Sequence, residues 1–473
     1  MRPTPENVAR ARDALKAAGL EVDEKPASVK AKSRDFFWYS PVLKARLDHL
    51  VGDFAVAPRS EAEVIQVLGT CYEHDVPVTT RGAGTGNYGQ AMPMAGGCIL
   101  HMRHMNRVKE IHPGRVIVEP GALLKEIDEA TVPHSGQEIR MFSSTYATAT
   151  VGGFIAGGSG GVGSVRWGQL RDLGNIIRLR VVTMEAEPRV LDFTGEELPR
   201  VSHAYGTNGI ITELELPLAP AYDWVDVMVG FDDFMASAAW AEALANEDGI
   251  LVKLISPIEA PIPHDYFLRI RSRIRREQSV VMVMVAPHAM EAFLTFTART
   301  RAAEILYRSD KVTAEERRAF GVAYEYSWNH CTLRGLKVDP TITYLQVRYA
   351  NPGALEKVAK IRETFGQEVP QHLEAIRMNG KVSFAGLPIV RFTTEARLEE
   401  IVRIHEDLGC LIFNPHRFTL EEGGRQSADR RQLDFKREAD PKGLLNPGKM
   451  VSWDQPDFDY KSIWHYPGML AAE

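Results

Sequence analysis

The sequence predicts an α+β protein with more than one domain, and three observations carry that reading. Glycines crowd the stretch between Gly82 and Gly168, among short β-branched runs. The pattern changes after Pro217 and Pro220, and beyond Ala221 strands and helices alternate. At 473 residues the chain is long for a single core, so two or three domains are expected.

Each element follows from a local signal. Residues 5–20 place Val8, Ala11, Leu15 and Leu20 near one helical face. Residues 33–41, SRDFFWYSP, read as aromatic and extended. Ser60 stands three residues before Glu63, a capping-box spelling that opens a helix through EVIQVLGTCYEHD. VPVTT is a strand running into the loop that begins at Arg81, and CILHM and RVIVEPG are further strands. A helix from Ala122 to about Ala130 follows, then the glycine run TVGGFIAGGSGGVGSVRWG. IIRLRVVTM and GIITELELPL complete the strands of this half. Beyond it, WVDVMVGF, GILVKLIS, SVVMVMVAP, TITYLQVRY, GLPIVRF and CLIFN read as strands. DDFMASAAWAEALAN, PGALEKVAKIRETFG and TTEARLEEIVRIHEDLG read as helices. The alternation predicts a sheet with helices on one side, built by internal duplication. The polar tail after Asn414 is turn-rich and is expected to return across another domain.

Composition excludes several classes. Hydrophobic residues at 44% and charged residues at 25% are ordinary for a globular chain. A net charge of -6 argues against nucleic acid, which needs excess Lys and Arg. Cys71, Cys98, Cys331 and Cys410 form no CxxC pair, so no zinc site or disulfide framework is expected. The first residues lack the apolar core of a signal peptide, and no apolar run is long enough to span a bilayer. A cytoplasmic location is the expectation.

RGAGTGNYGQAMP, starting at Arg81, contains the spelling Gly84-x-Gly86-x-x-Gly89. A dinucleotide loop of the Rossmann kind must run into a helix, but QAMPMAGG follows. A P-loop needs GK[ST], which is absent. The loop is left as a glycine-rich turn whose amides form an anion nest, or as a tight turn without ligand. The second glycine run adds another surface free of side chains, and Gly209 precedes a strand in YGTNGIITELEL. Such spacing suits a long, buried cofactor.

In this order, RGAGTGNYGQ, VEPGALLKEID, TVGGFIAGGSGGVGSVRWGQLRD and GTNGIITELEL resemble the FAD-binding domain of the vanillyl-alcohol oxidase and p-cresol methylhydroxylase (PCMH-type) flavoprotein family. The terminal DPKGLLNPGKM is similar to the ending of its glycolate- and D-lactate-dehydrogenase-like members. The resemblance is strong over 48–220 and moderate in the tail. It implies an FAD domain of two α+β subdomains over 48–220, after an N-terminal segment at 1–47. A cap with an antiparallel sheet flanked by helices would span 221–413, and a returning segment 414–473. It implies that Arg81, Gly82, Ala83, Gly84, Thr85, Gly86, Asn87 and Gln90 hold the pyrophosphate region. Thr150, Gly152, Gly153, Gly157 and Gly158 would line the flavin, with Gly209, Ile210 and Ile211 near the adenine or ring edge. Thr85 occupies the position where some members carry a flavin-linking His, and the linking cysteine of others would fall near Tyr146. Noncovalent FAD is therefore expected.

The expected reaction takes hydride from a CH–OH group in a hydroxy acid or another alcohol, with a base taking the hydroxyl proton. YEYSWNHCTLRGLK concentrates Tyr326 and His330, and FNPHRFTLEEGGR brings His416 and Arg417. His330 is the first candidate base and His416 the second, each weighed against a structural histidine. Arg348 and Arg417 are candidates to grip a carboxylate, against a plain ion-pair reading. The Glu-His stretch tied to a metal in hydroxyacid dehydrogenases of the family is absent, so no metal is expected. His416 with Glu421 and Glu422 is a weak substitute set. The aromatic YEYSWNH segment favours a rival substrate, a phenolic or aromatic alcohol. A flavin-binding sensor or redox subunit without turnover is a different class again, as is a phosphate-binding scaffold without flavin. YFLRIRSRIRREQ reads as a docking stripe for an acidic electron-acceptor protein or membrane, or more simply as a solvated face. The partners expected are a small-molecule substrate and an unspecified electron acceptor (oxygen, a quinone or a protein). A homodimer is the default assembly.

Overall fold

A computed structural model describes residues 2–425 and 429–459. The first sheet has the order Val22–Asp23, Phe54–Val56, Cys98–His101, Val78–Arg81, with the last three strands parallel. The helix Glu61–Glu73 makes the crossover and buries Val64, Val67, Leu68 and Cys71 on the sheet. Its Ser60 accepts from the Glu63 amide at 3.3 Å, as the capping spelling predicts. Glu63 reaches one residue further back, to the Arg59 amide at 2.8 Å, so only half of the box closes.

The second sheet is antiparallel and built around the eleven-residue strand Ile210–Pro220. That strand pairs with Arg178–Val182 on one side and with Arg115–Val118 on the other. Its far end continues against Gln137–Ile139. The strand ends at Pro220, where the sequence places a boundary. The helix expected from Ala122 runs Leu124–Ser135 instead, and stops at Gly136 in the left-handed region (φ 64°).

Beyond Pro220 come two four-stranded antiparallel sheets with one shared logic, and a separate two-stranded pair. Val225–Phe231, Val252–Ile258, Ser279–Val285 and Glu304–Arg308 stand in the order second, third, first, fourth. Val347–Tyr349, Leu373–Met378, Lys381–Gly386 and Leu411–Ile412 repeat that order. Each set is a β-α-β-β-α-β unit. The second strands of the two units meet at an antiparallel bridge between Ile258 and His372. Residues 342–349 do not form one strand. Ile342–Tyr344 leaves to pair with Ile389–Arg391. The hairpin 373–386 turns at Asn379 and Gly380, both with positive φ, and sequence reading passed over this Asn-Gly signal.

Period-two burial explains how this half docks. Ser279–Val285 is buried throughout. Val281, Val283 and Val285 face the helix Phe234–Ala245, in a core that also takes in Met290–Ala298, Ala354–Phe365 and Glu395–Asp407. Val280, Met282 and Met284 face the glycine-rich half. A buried ion pair, Lys253 Nζ to Glu138 Oε1 at 2.6 Å, crosses the same junction. Trp224 Nε1 also donates to that oxygen at 2.9 Å. Such a pair orients the domains more than it stabilises them, because desolvation offsets the attraction.

Asn446 donates to the carbonyls of Gln90 and Tyr205 at 2.8 and 2.6 Å, and Lys449 Nζ donates to Gly89 O at 2.6 Å. Residues 426–428 and 460–473 of the segment expected to return lie outside the described residues. Among the described residues, no helix is long and apolar enough to cross a membrane.

Candidate functional site

A large cavity opens where the glycine-rich half meets the two-unit half. One wall is the loop from Gly82 to Asn87 together with Thr80 and Gln90. Three positions in it demand the absence of a side chain. A Cβ on Gly82 would overlap Thr150 Oγ1, and one on Gly86 would overlap Gln90 Oε1. Gly84 has φ 69° besides. Gln90 then reaches across, donating through Nε2 to Gly157 O at 3.2 Å. The backbone amides of Ala83, Gly84, Thr85, Gly86 and Asn87 find no acceptor among the described residues. Five adjacent donors without acceptors form a cradle for an anion.

The second wall carries Ser143–Thr145, Ala149, Thr150, Gly152, Gly153 and the run Gly157–Gly161. Thr150 caps the short helix Val151–Gly157, accepting from the Gly153 amide at 3.4 Å. The third wall carries Val201, His203, Tyr205, Gly206 and Gly209–Ile211. Gly209, at φ 121°, would drive a Cβ into Val181. His203 and Tyr205 both have positive φ, at 52° and 53°, and their rings stack at 5.7 Å. Asp35 and Tyr39 close the N-terminal side, and Trp328, Asn329, Gln346 and Phe413 supply the opposite side.

Every residue proposed from the sequence for cofactor contact lies on these walls except Arg81. Its guanidinium turns back onto the carbonyls of Arg34, Gly82 and Ala83 at 3.0–3.2 Å. It braces the loop from behind. Asp35 is a wall residue the sequence reading did not single out. Its carboxylate accepts from the amides of Phe37 and Ala91 at 2.9 and 3.1 Å. Burial pushes its pKa up to about 6, opposed by the Ala91 amide and by the charge of Lys449. Burial takes Lys449 down to about 7, with Asp35 acting the other way.

The five residues proposed for catalysis lie off the walls. His330 follows Asn329 on the helix Trp328–Val338, and a step of about 100° along a helix turns it elsewhere. Burial lowers its pKa to about 4, with Arg334 and Lys337 adding to the effect. Tyr326 is fully buried and donates to Phe320 O at 2.5 Å, under the Arg334 guanidinium. Arg348 donates through Nε to Met378 Sδ at 3.0 Å, and Arg417 pairs with Glu399 at 2.7 Å. His416 has both ring nitrogens in use. Nε2 donates to Tyr344 O at 2.9 Å, and Nδ1 accepts from Ser40 Oγ at 2.7 Å. Glu421 is occupied by the amides of Val451 and Ser452, and Glu422 by Thr419, so this trio does not converge. The arginines of 269–276 meet neighbouring carboxylates or carbonyls, as a solvated face does. Trp328 and Asn329 belong to the segment that sequence reading selected, but it chose their neighbours. The signal for Gln346, Phe413 and Tyr39 was absent, since only folding brings them together.

Comparison with known proteins agrees with this geometry. A family model described as an FAD binding domain matches residues 52–192. The chain therefore carries an FAD-binding domain and is similar to FAD-linked oxidoreductases. An FAD-linked oxidoreductase of Mycobacterium tuberculosis is 31% identical over 207 residues, 41% of this chain and 44% of that one. The glycolate oxidase subunit GlcD of Escherichia coli is 24% identical over 432 residues, 84% of this chain and 83% of that one. The match to the first of these relatives spans less than half of its length. Among solved structures, 4-ethylphenol oxidase from Gulosibacter chungangensis has TM-score 0.68 at 17% identity, covering 99% of both chains. Substrate-bound p-cresol methylhydroxylase has TM-score 0.68 at 15% identity, covering 97% of this chain and 99% of that one. These two show the same fold.

FAD is the cofactor of this family domain, and the site fits it. The unpaired amides of 83–87 suit a diphosphate, and the glycine-lined walls admit a flat ring system. Gly82→Ala and Gly86→Ala are expected to lose most bound flavin, read as the 450 nm absorbance per chain at roughly the usual flavin maximum. Gly249→Ala, with nothing near its Cβ, is expected to keep it. His416 yields a pH prediction. Burial holds its pKa down to about 3, outweighing its bond to Tyr344 O and reinforced by Arg417. The unfolded chain binds a proton here below about pH 6.5 and the folded chain does not. Stability therefore falls as pH drops from about 6.5 towards 3, by at most ~1.4 kcal/mol per unit from this group. His416→Gln is expected to flatten that slope in thermal melts taken from pH 7 to pH 4.

Proposed function

We propose that the protein oxidises a CH–OH group, with FAD accepting hydride, and that its substrate is an uncharged, aromatic alcohol. The observation that carries the second part is the composition of the cavity walls. Tyr39, Tyr88, Tyr205, Trp328 and Phe413 supply aromatic surface, with Asn329 and Gln346 as neutral polar groups. Among the described residues, no Lys or Arg lines the cavity, and Asp35 does. A 2-hydroxy acid would bring a carboxylate that finds no bidentate cation there and meets a buried carboxyl instead.

Bound FAD supplies the two-electron acceptor. The chain's own groups do the rest. The amides of Ala83–Asn87, which have no acceptor among the described residues, would hold the diphosphate. The titratable groups on the walls are Asp35, Tyr39, Tyr88, His203 and Tyr205, and the base for the substrate hydroxyl is drawn from them. The indole edge of Trp328 lies 3.6 Å from where a Cβ of Gly160 would stand, which narrows the space left to water. The rival substrate class, 2-hydroxy acids, draws support from relatives named glycolate oxidase and D-lactate dehydrogenase.

Anaerobic mixing with a panel of alcohols separates the two. Benzyl alcohols are expected to bleach the flavin, and glycolate and D-lactate to leave it oxidised. Bleaching by the hydroxy acids alone would overturn the aromatic reading, and no bleaching by either would favour a non-catalytic flavin protein. We also propose that FAD is held noncovalently, since Thr85 offers a hydroxyl and Tyr146 is tied to Asp128 at 2.8 Å. Acid precipitation is expected to release yellow FAD into the supernatant, and flavin retained in the pellet would contradict this.

A further inference from the structure

Trp328 carries the cap side of the cavity and does so with an unusual backbone. Its φ is 47°, in the left-handed region that bulky side chains avoid, and it is the first residue of the helix Trp328–Val338. A conformation of that kind persists only where its surroundings over-determine it. Here a buried carboxylate supplies a contact to that backbone. Oε1 of Glu374 accepts from the Trp328 amide at 2.5 Å. The same oxygen accepts from His372 Nε2 at 2.8 Å and from Ser256 Oγ at 2.9 Å.

The location of this cluster is informative. Glu374 and Ser256 lie on the second strands of the two β-α-β-β-α-β units, beside the Ile258–His372 bridge that joins them. Glu374 is 1% exposed, and His372 and Ser256 are fully buried. The carboxylate is thus held at the seam by both units, and it delivers one charge-assisted bond to the first turn of the helix that faces the flavin domain. From that anchored amide the indole reaches across until its edge lies 3.6 Å from where a Cβ of Gly160 would stand. Asn329 follows it onto the wall.

We propose that Glu374 is a positioning residue, which locks Trp328 in its left-handed conformation and thereby sets the cap wall of the cavity. It touches neither cofactor nor substrate. Its effect passes through the Trp328 backbone, and the seam between the repeated units becomes part of the site. The inference stands whichever alcohol is oxidised.

Hydroxyl-radical footprinting of the FAD-loaded protein, read residue by residue by mass spectrometry, tests this. In Glu374→Ala, oxidation of Trp328 is expected to rise several-fold, while the buried Tyr349 and Phe231 stay at wild-type reactivity. Ser256→Ala keeps the Trp328 bond and is expected to match wild type. Glu374→Gln keeps an oxygen acceptor without the charge and is expected to fall between. Unchanged Trp328 reactivity in Glu374→Ala would overturn the proposal, and so would an equal rise at Tyr349 and Phe231, which marks general loosening. If Glu374→Ala does not fold, Glu374→Gln decides by amide exchange at Trp328: several-fold faster exchange supports the lock, and a wild-type rate refutes it.

Discussion

The site rests on a close approach between two stretches of backbone. The loop after Val78–Arg81 passes so near the start of the helix Val151–Gly157 that Gly82 has no room for a Cβ beside Thr150. Gln90 then spans the gap to Gly157, and Gly86 makes space for Gln90. Only glycine allows this contact, and the contact leaves five amides without an acceptor among the described residues. An unpaired donor is costly once buried, so the arrangement is stable when an anion takes those hydrogen bonds. Cofactor affinity and local folding are one constraint here.

The other half of the molecule solves a different problem. A repeated β-α-β-β-α-β unit places its helices on one face and leaves the opposite face of the sheet to cover the flavin domain. Val280, Met282 and Met284 meet that domain, while Val281, Val283 and Val285 meet helices. The buried Lys253–Glu138 pair and Trp224 fix the orientation across the junction. A wall assembled from both domains follows, with Trp328 and Phe413 on the cap side and bare glycine backbone beside Tyr39, Tyr88 and Tyr205 on the other.

The strand and helix pattern was legible wherever a side-chain period was strong, as in SVVMVMV and in the helix after Ser60. It failed where pairing was decided elsewhere in the chain. Residues 342–349 look like one strand, yet Tyr344 and Val347 join different sheets because Ile389–Arg391 competes for the first part. The histidines and arginines chosen from the sequence lie off the cavity walls. His416 is held by Ser40 and Tyr344, and His330 is half-buried on its helix. Composition of a segment does not say which side of a helix faces a cavity.

The sequence by itself determined the flavin-binding half. Glycines at special backbone positions are specified one residue at a time, and their order along the chain can be read directly. It also determined the repeated strand–helix alternation, through the periods of apolar residues. Tertiary structure alone decided the walls outside the glycine runs. Tyr39, Trp328, Gln346 and Phe413 come from distant segments, and their meeting depends on sheet pairing and domain docking. The left-handed turn at Trp328 depends on a carboxylate forty-six residues away in sequence, brought to it at the seam of two folded units. Local propensity opposes that conformation, so only long-range contacts impose it.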